Sequence, residues 1–156
     1  MPEVIAPSRT IPYADLADSL GVRFGPTPWT MVTQSQVDAF ADVTHDHQWI
    51  HVDEERARQG PFGTTIAHGY LTLSLVPFLL GQLLEVSGVS MAVNYGLEKV
   101  RFPAPVPVGA SLQATAEIVG VTPLDKASRL TVRVTVECDQ ADRPVCVADV
   151  VILFVG

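Results

Sequence analysis

The sequence predicts an α+β fold in which helices come first and an antiparallel sheet follows. Two patterns carry this prediction. Between residues 13 and 84 apolar positions recur at helical spacing and are set off by capping residues, whereas from Val89 onward the repeat changes to period two. No helical stretch separates the later extended runs, and helices segregated from strands in this way imply an antiparallel sheet with helix packed on one face.

Taken in order, Pro12 introduces a short helix over residues 13–18, and Gly21, Pro26 and Pro28 then break the chain into short extended pieces up to residue 32. Thr33-Gln34-Ser35-Gln36 has the form of a capping box, and Val37, Phe40, Ala41 and Val43 follow at helical spacing. A helix of about ten residues therefore starts at Thr33. Over residues 53–58 the acidic Asp53, Glu54 and Glu55 precede Arg56 and Arg58, the order that a helix dipole favours, and Gly60-Pro61 stops that helix. Residues 46–51 are thereby predicted to form a loop between two helices. The apolar run over residues 70–84, entered through Ala67-His68-Gly69, reads as a long core helix that covers the concave face of the sheet.

In the second half, Leu130, Val132, Val134 and Val136 alternate with Thr131, Arg133, Thr135 and Glu137, which describes a strand with one buried and one wet face. Similar extended runs cover residues 90–95, 97–102, 111–121 and 145–155. Pro103, Pro105, Pro107 and Gly109 make a turn or crossover between strands, and residues 139–142 make a hairpin turn between Cys138 and Cys146.

Composition narrows the function classes. A chain of 156 residues with 47% hydrophobic content supports one domain over residues 1–156. With a net charge of −7 and scattered Lys and Arg, the electrostatic footprint of a nucleic-acid binder is missing. The apolar run is interrupted by Thr72, Ser74, Pro77, Gly81 and Gln82 and falls short of the ~20 residues that a membrane span requires. Glu3 and the lack of a basic residue before Arg9 speak against a secretory leader, so a cytoplasmic location is expected. The two cysteines then read as buried thiols. His45, His47, His51 and His68 fall within 24 residues, but no CxxC or HExxH pattern accompanies them, and neither a metal nor another cofactor is expected.

The densest chemistry lies in Asp46-His47-Gln48-Trp49-Ile50-His51, which sets a carboxylate and an imidazole five positions apart, with His68-Gly69 following at a helix entry. Such a pair can move protons to and from one water, and N–H groups at a helix start can hold a developing oxyanion. On residue types alone the plainer readings stand beside this one: Asp46 as a helix-terminal carboxylate, His51 as a half-buried histidine bracing a loop. Trp49 is expected to pack the loop against the core.

The run Phe40-Ala41-Asp42-Val43-Thr44-His45-Asp46-His47-Gln48-Trp49-Ile50-His51-Val52-Asp53 does not stand alone. With it come the Pro61-Phe62-Gly63 turn, Ile66-Ala67-His68-Gly69-Tyr70-Leu71-Thr72-Leu73-Ser74, and Asn94-Tyr95-Gly96-Leu97 ahead of Val100-Arg101-Phe102-Pro103-Ala104-Pro105-Val106-Pro107-Val108-Gly109. Together these residues resemble the MaoC-like, or (R)-specific enoyl-CoA hydratase, family of hot-dog-fold proteins, and within it the NodN-like members. The likeness extends over residues 12–155. It implies a hot-dog fold, a long central helix wrapped by a curved antiparallel sheet, paired into a homodimer with the acyl tunnel near the interface. It implies reversible hydration of a trans-2-enoyl thioester, on coenzyme A or an acyl carrier, to the (R)-3-hydroxyacyl product. Asp46 and His51 match the catalytic pair, and the Gly69 N–H matches the donor that stabilises the thioester oxygen.

Other positions follow from the same resemblance. Gln48 stands where the family usually carries asparagine and is expected at the substrate. His68 is read as bracing the turn before the helix, within reach of substrate. Ser74 either hydrogen-bonds substrate or bonds its own backbone. Lys99 and Arg101 either meet the phosphates of coenzyme A or are solvated strand charges, and the acidic chain favours coenzyme A over an acidic carrier protein. His45 replaces a usual glycine, so a left-handed or crowded backbone is expected there, at a cost of about 1 kcal/mol. Two competing readings remain: a hot-dog thioesterase whose carboxylate activates water toward the carbonyl carbon, and a non-catalytic acyl-binding subunit.

Overall fold

The computed structural model describes residues 7–156. The reading against a secretory leader turns mainly on residues 1–6, which lie outside the described residues. In chain order come β1 (Arg9–Pro12), a 3₁₀ turn (Tyr13–Asp18), β2 (Arg23–Phe24) and β3 (Thr30–Met31). Helices α1 (Gln34–Thr44), α2 (Trp49–Val52), α3 (Glu54–Arg58), α4 (Gly69–Ser74) and α5 (Val76–Gly81) follow. The chain then runs through β4 (Leu84–Ser87), β5 (Met91–Arg101), β6 (Ser111–Leu124), β7 (Ala127–Cys138) and β8 (Cys146–Val155). The α+β class is therefore as expected, while the short strands β2 and β3 of the antiparallel sheet precede the helices.

A six-stranded sheet has the order β2-β6-β7-β8-β5, with β3 also pairing to β6. Period-two patterning sets its faces. Leu112, Ala114 and Ile118 of β6, Leu130, Val132 and Val134 of β7, and Ala148 of β8 are buried and point toward the helices. Against them pack Leu71, Val76, Leu79 and Leu83, each worth about 1.5–3 kcal/mol of burial. On the opposite face one cross-strand row reads Arg23, Glu117, Arg133, Asp149 and Lys99 in direct register, so charges alternate across five strands.

Three details correct the sequence reading. The helix expected through residue 84 is two six-residue helices, α4 and α5. Pro77, which lacks an N–H, sits in the first turn of α5 and interrupts the ladder, and the segment after Gly81 turns into β4, which pairs in parallel with β1. Residues 90–95 and 97–102 are not two strands but the single β5, kinked by register shifts at Asn94/Gly96 and Leu97/Lys99. The expected loop over residues 46–51 ends in the short helix α2, which carries His51.

The capping box is present as read: Gln36 donates its N–H to the Thr33 hydroxyl, and the Thr33 N–H donates to Gln36 Oε1 at 2.9 Å. α3 is capped by Asp53, whose carboxylate accepts from the Arg56 N–H at 3.0 Å. Among the described residues no helix is long and apolar enough to cross a membrane.

Candidate active site

Helix α1 ends at His45, whose backbone is left-handed with φ 60° and ψ 22°. The conformation expected where a glycine is usual is thus adopted by a histidine. That reversal of direction stops the helix and delivers Asp46 toward α2 and the entry of α4. The Asp46 side chain is 53% exposed, and its carboxylate lies 4.0 Å from His68 Nε2. Trp49 opens α2, with its ring between the Arg56 guanidinium, 4.4 Å from the ring centroid, and the Gly60 backbone. It holds α2 against α3, so Trp49 packs on the neighbouring helix and not, as expected, on the core.

His51 is 6% exposed and its Nδ1 lies 2.6 Å from the Ile66 carbonyl oxygen. A carbonyl only accepts, so Nδ1 carries the hydrogen and the neutral ring keeps its lone pair at Nε2. Burial pushes the His51 imidazole below its ordinary pKa, and the neighbouring His68 adds to this; the bond to Ile66 and the Asp46 carboxylate oppose it. The ring is therefore set up as a neutral acceptor at pH 7.

His68, 3% exposed, is the N-cap residue of α4. Its Nε2 donates to the Asp46 carbonyl at 2.9 Å, its ring stacks on His51, and the tilted Phe40 ring packs on it with centroids 5.0 Å apart. Through these contacts it ties the Asp46 loop to His51 at the entry of α4. Gly69 begins α4, where the first N–H groups have no acceptor inside the helix. A Cβ at this position would stand 3.0–3.2 Å from the Phe102 ring, so any larger residue would have to push that ring away from the helix start by a few tenths of an ångström. His51, Gly69, Thr72, Phe62 and Phe102 line a cleft of about 310 Å³.

Asp46, His51, His68 and Gly69 thus come together, and other nominated residues do not join them. Ser74 donates to the Tyr70 carbonyl at 2.6 Å, which is the backbone-bonded alternative. Gln48 precedes α2 as its N-cap residue, with an exposed side chain that makes no cap bond. Lys99 and Arg101 line a separate hollow of about 230 Å³ with Arg133, Val147 and Asp149. His47 is paired with Asp42 at 2.8 Å on the surface. Phe62, Ile66 and Phe102 were not nominated as site residues. Their contribution is a carbonyl and two apolar walls, which no residue-type pattern announces.

The three possible ligand atoms of Asp46, His51 and His68 lie within 4.8 Å of one another. The two rings are stacked with planes inclined by 23°, and each gives one N–H to a main-chain carbonyl.

Residues 15–140 match the model of the family described as "MaoC like domain". The chain is 53% identical over 144 residues to 3-hydroxyacyl-thioester dehydratase Z of Mycobacterium tuberculosis, covering 92% of this chain and 95% of that protein. It is 41% identical over 140 residues to nodulation protein N of Rhizobium leguminosarum bv. viciae, covering 87% and 86%. Among solved structures it is similar to a monoamine oxidase regulatory protein from Archaeoglobus fulgius, with a TM-score of 0.78, 28% identity, and coverage of 96% of this chain and 97% of that one.

Proposed function

Since the chain belongs to the MaoC-like dehydratase family, and so to hot-dog-fold hydro-lyases, we propose that it hydrates trans-2-enoyl-CoA reversibly to (R)-3-hydroxyacyl-CoA. One observation carries the assignment: the buried His51 ring, its Nδ1 locked to Ile66 so that Nε2 keeps its lone pair, brings a ring nitrogen within 4.8 Å of an Asp46 carboxylate oxygen. Two acceptors side by side can hold both hydrogens of one water and turn its oxygen lone pair toward C3 of the enoyl group. As the O–C3 bond forms, one member of the pair takes a water proton and the C2–C3 π electrons move toward the thioester carbonyl. The resulting enolate oxygen meets the Gly69 N–H, at the positive end of a helix. The protonated pair then delivers a proton to C2, so that water is added with none left over. General acid/base help of this kind contributes roughly 10²–10⁴-fold.

His68 supports the pair by fixing Asp46 through its carbonyl, and Gln48, at the N-cap of α2, is assigned to the substrate side of the loop. Lys99 and Arg101 lead along β5 to Phe102 at the cleft wall, which supports a role toward the phosphates of coenzyme A. The protein acts in this reading as a homodimer. β5 is an edge strand, and along it Met91, Val93, Tyr95 and Leu97 are 41–64% exposed, an apolar edge that a second copy would cover.

The test is loss of the conjugated-thioester absorbance with trans-2-enoyl-CoA substrates of several lengths, beside Asp46→Asn and His51→Ala, with chiral analysis of the product. Rapid loss, an (R) product and two inactive variants are expected. Release of free thiol instead would make the protein a thioesterase, and binding without turnover would make it an acyl-binding subunit.

A further inference from the structure

The structure assigns to Gln34 the positioning of the His51 imidazole, an inference that rests on the hydratase reading above. Gln34 opens α1, but the start of that helix is already secured by Thr33 and Gln36. Its amide turns instead toward residues far along the chain. Nε2 donates to the His51 carbonyl at 2.8 Å and to Asp38 Oδ1 at 2.8 Å, while Oε1 accepts from the Thr65 hydroxyl at 2.6 Å. The His51 carbonyl and the Asp38 carboxylate only accept, so a single orientation of the amide satisfies all three partners.

Thr65 is buried and adjoins Ile66, the residue whose carbonyl takes the His51 Nδ1–H and whose own N–H donates to the Ile50 carbonyl at 3.0 Å. His51 is therefore held at its ring by Ile66 and at its main chain by Gln34, and Gln34 joins the two anchors through Thr65. The helix that carries His51 has four residues and no side-chain cap, too little to fix a side chain unaided. Gln34 touches no reacting atom and is a positioning residue. Without its amide, ring and main chain can shift against the 65–66 segment, and displacements near 1 Å at a reacting group cost on the order of 10²-fold in rate.

Gln34→Met keeps the length and apolar stem and removes the amide. It should lower kcat by roughly 10- to 100-fold with KM little changed, and Thr65→Val should reproduce part of that loss. Gln36→Ala breaks the capping box of the same helix and should lower the melting temperature while leaving kcat unaltered. A second readout is independent of turnover: the Nδ1-bound hydrogen of His51, followed by nitrogen-15 NMR, should exchange with solvent faster in Gln34→Met than in the wild type. Unchanged kcat and unchanged exchange in Gln34→Met would overturn the inference. So would a Gln36→Ala variant that loses as much kcat, because the effect would then lie in helix stability. A wild-type protein inactive on every enoyl and 3-hydroxyacyl thioester would sink the hydratase reading, and the exchange comparison would then decide the role of Gln34 alone.

Discussion

The imidazole of His51 lies on that of His68 with ring centroids 3.8 Å apart and planes inclined by 23°. Each ring gives one N–H to a main-chain carbonyl, His51 to Ile66 and His68 to Asp46. The stack therefore links the two halves of the proposed acid/base pair, and with burial it penalises a positive charge on His51.

That penalty fixes a pH dependence. Burial, helped by His68, holds the folded His51 pKa below the ordinary 6.5, so the folded chain binds fewer protons than the unfolded one. The stability from this group is fully present above pH 6.5 and is lost as pH falls through the folded value. kcat/KM should be level at neutrality and decline with an apparent pKa below 6.5. Urea midpoints should fall over the same acidic range in the wild type and less in His51→Gln.

Asp46→Asn separates chemistry from folding. The side chain is half exposed, and His68 holds the carbonyl of this residue at hydrogen-bond distance, not its carboxylate. Circular dichroism melting should match the wild type while kcat drops by about 10²-fold or more.

Gly69→Ala places a methyl group 3.0–3.2 Å from the Phe102 ring. Phe102 is 40% exposed and can yield, so the variant should fold. It should lose part of the ~10²–10³-fold that a single oxyanion donor typically supplies. Adding Phe102→Leu should restore a share of kcat, and a double variant no faster than Gly69→Ala would show that the ring is not the obstacle.

His45→Gly removes a side chain from a left-handed backbone. The relief exceeds the entropic cost of glycine by about 0.5 kcal/mol, so the urea midpoint should rise slightly with activity retained.

The exposed edge of β5 predicts the assembly. Light scattering should give twice the chain mass for the wild type, and Tyr95→Lys, a charge placed on a side chain 64% exposed in one copy, should shift the protein toward monomer. A monomeric wild type would remove the dimer from the proposal.

What could be read in advance depended on how local its cause was. The start of α1 was legible because a capping box involves residues three apart, and β7 because its alternation needs only its own side chains. α2 was not legible: four residues are too few for periodicity to show. β4 was hidden because Leu84 and Val86 continue an apolar run that looks helical, and its pairing with β1 joins residues 75 positions apart. β5 misled differently: it reads as two extended runs, 90–95 and 97–102, because the register shifts at Asn94/Gly96 and Leu97/Lys99 are accommodated only by pairing with β8.

The site divides in the same way. The sequence by itself determined which reactive groups exist, Asp46, His51 and the Gly69 N–H, because these reside in covalent identity. At His45 it offered a left-handed or crowded backbone through the family resemblance, and the structure decided for the left-handed one. Only the tertiary structure decided which nitrogen of His51 is free, that its pKa is lowered, and that Gln34 and Phe102 bear on the site. Each depends on a carbonyl, a buried ring or an amide brought from distant chain, and such proximity is set by packing of the whole core.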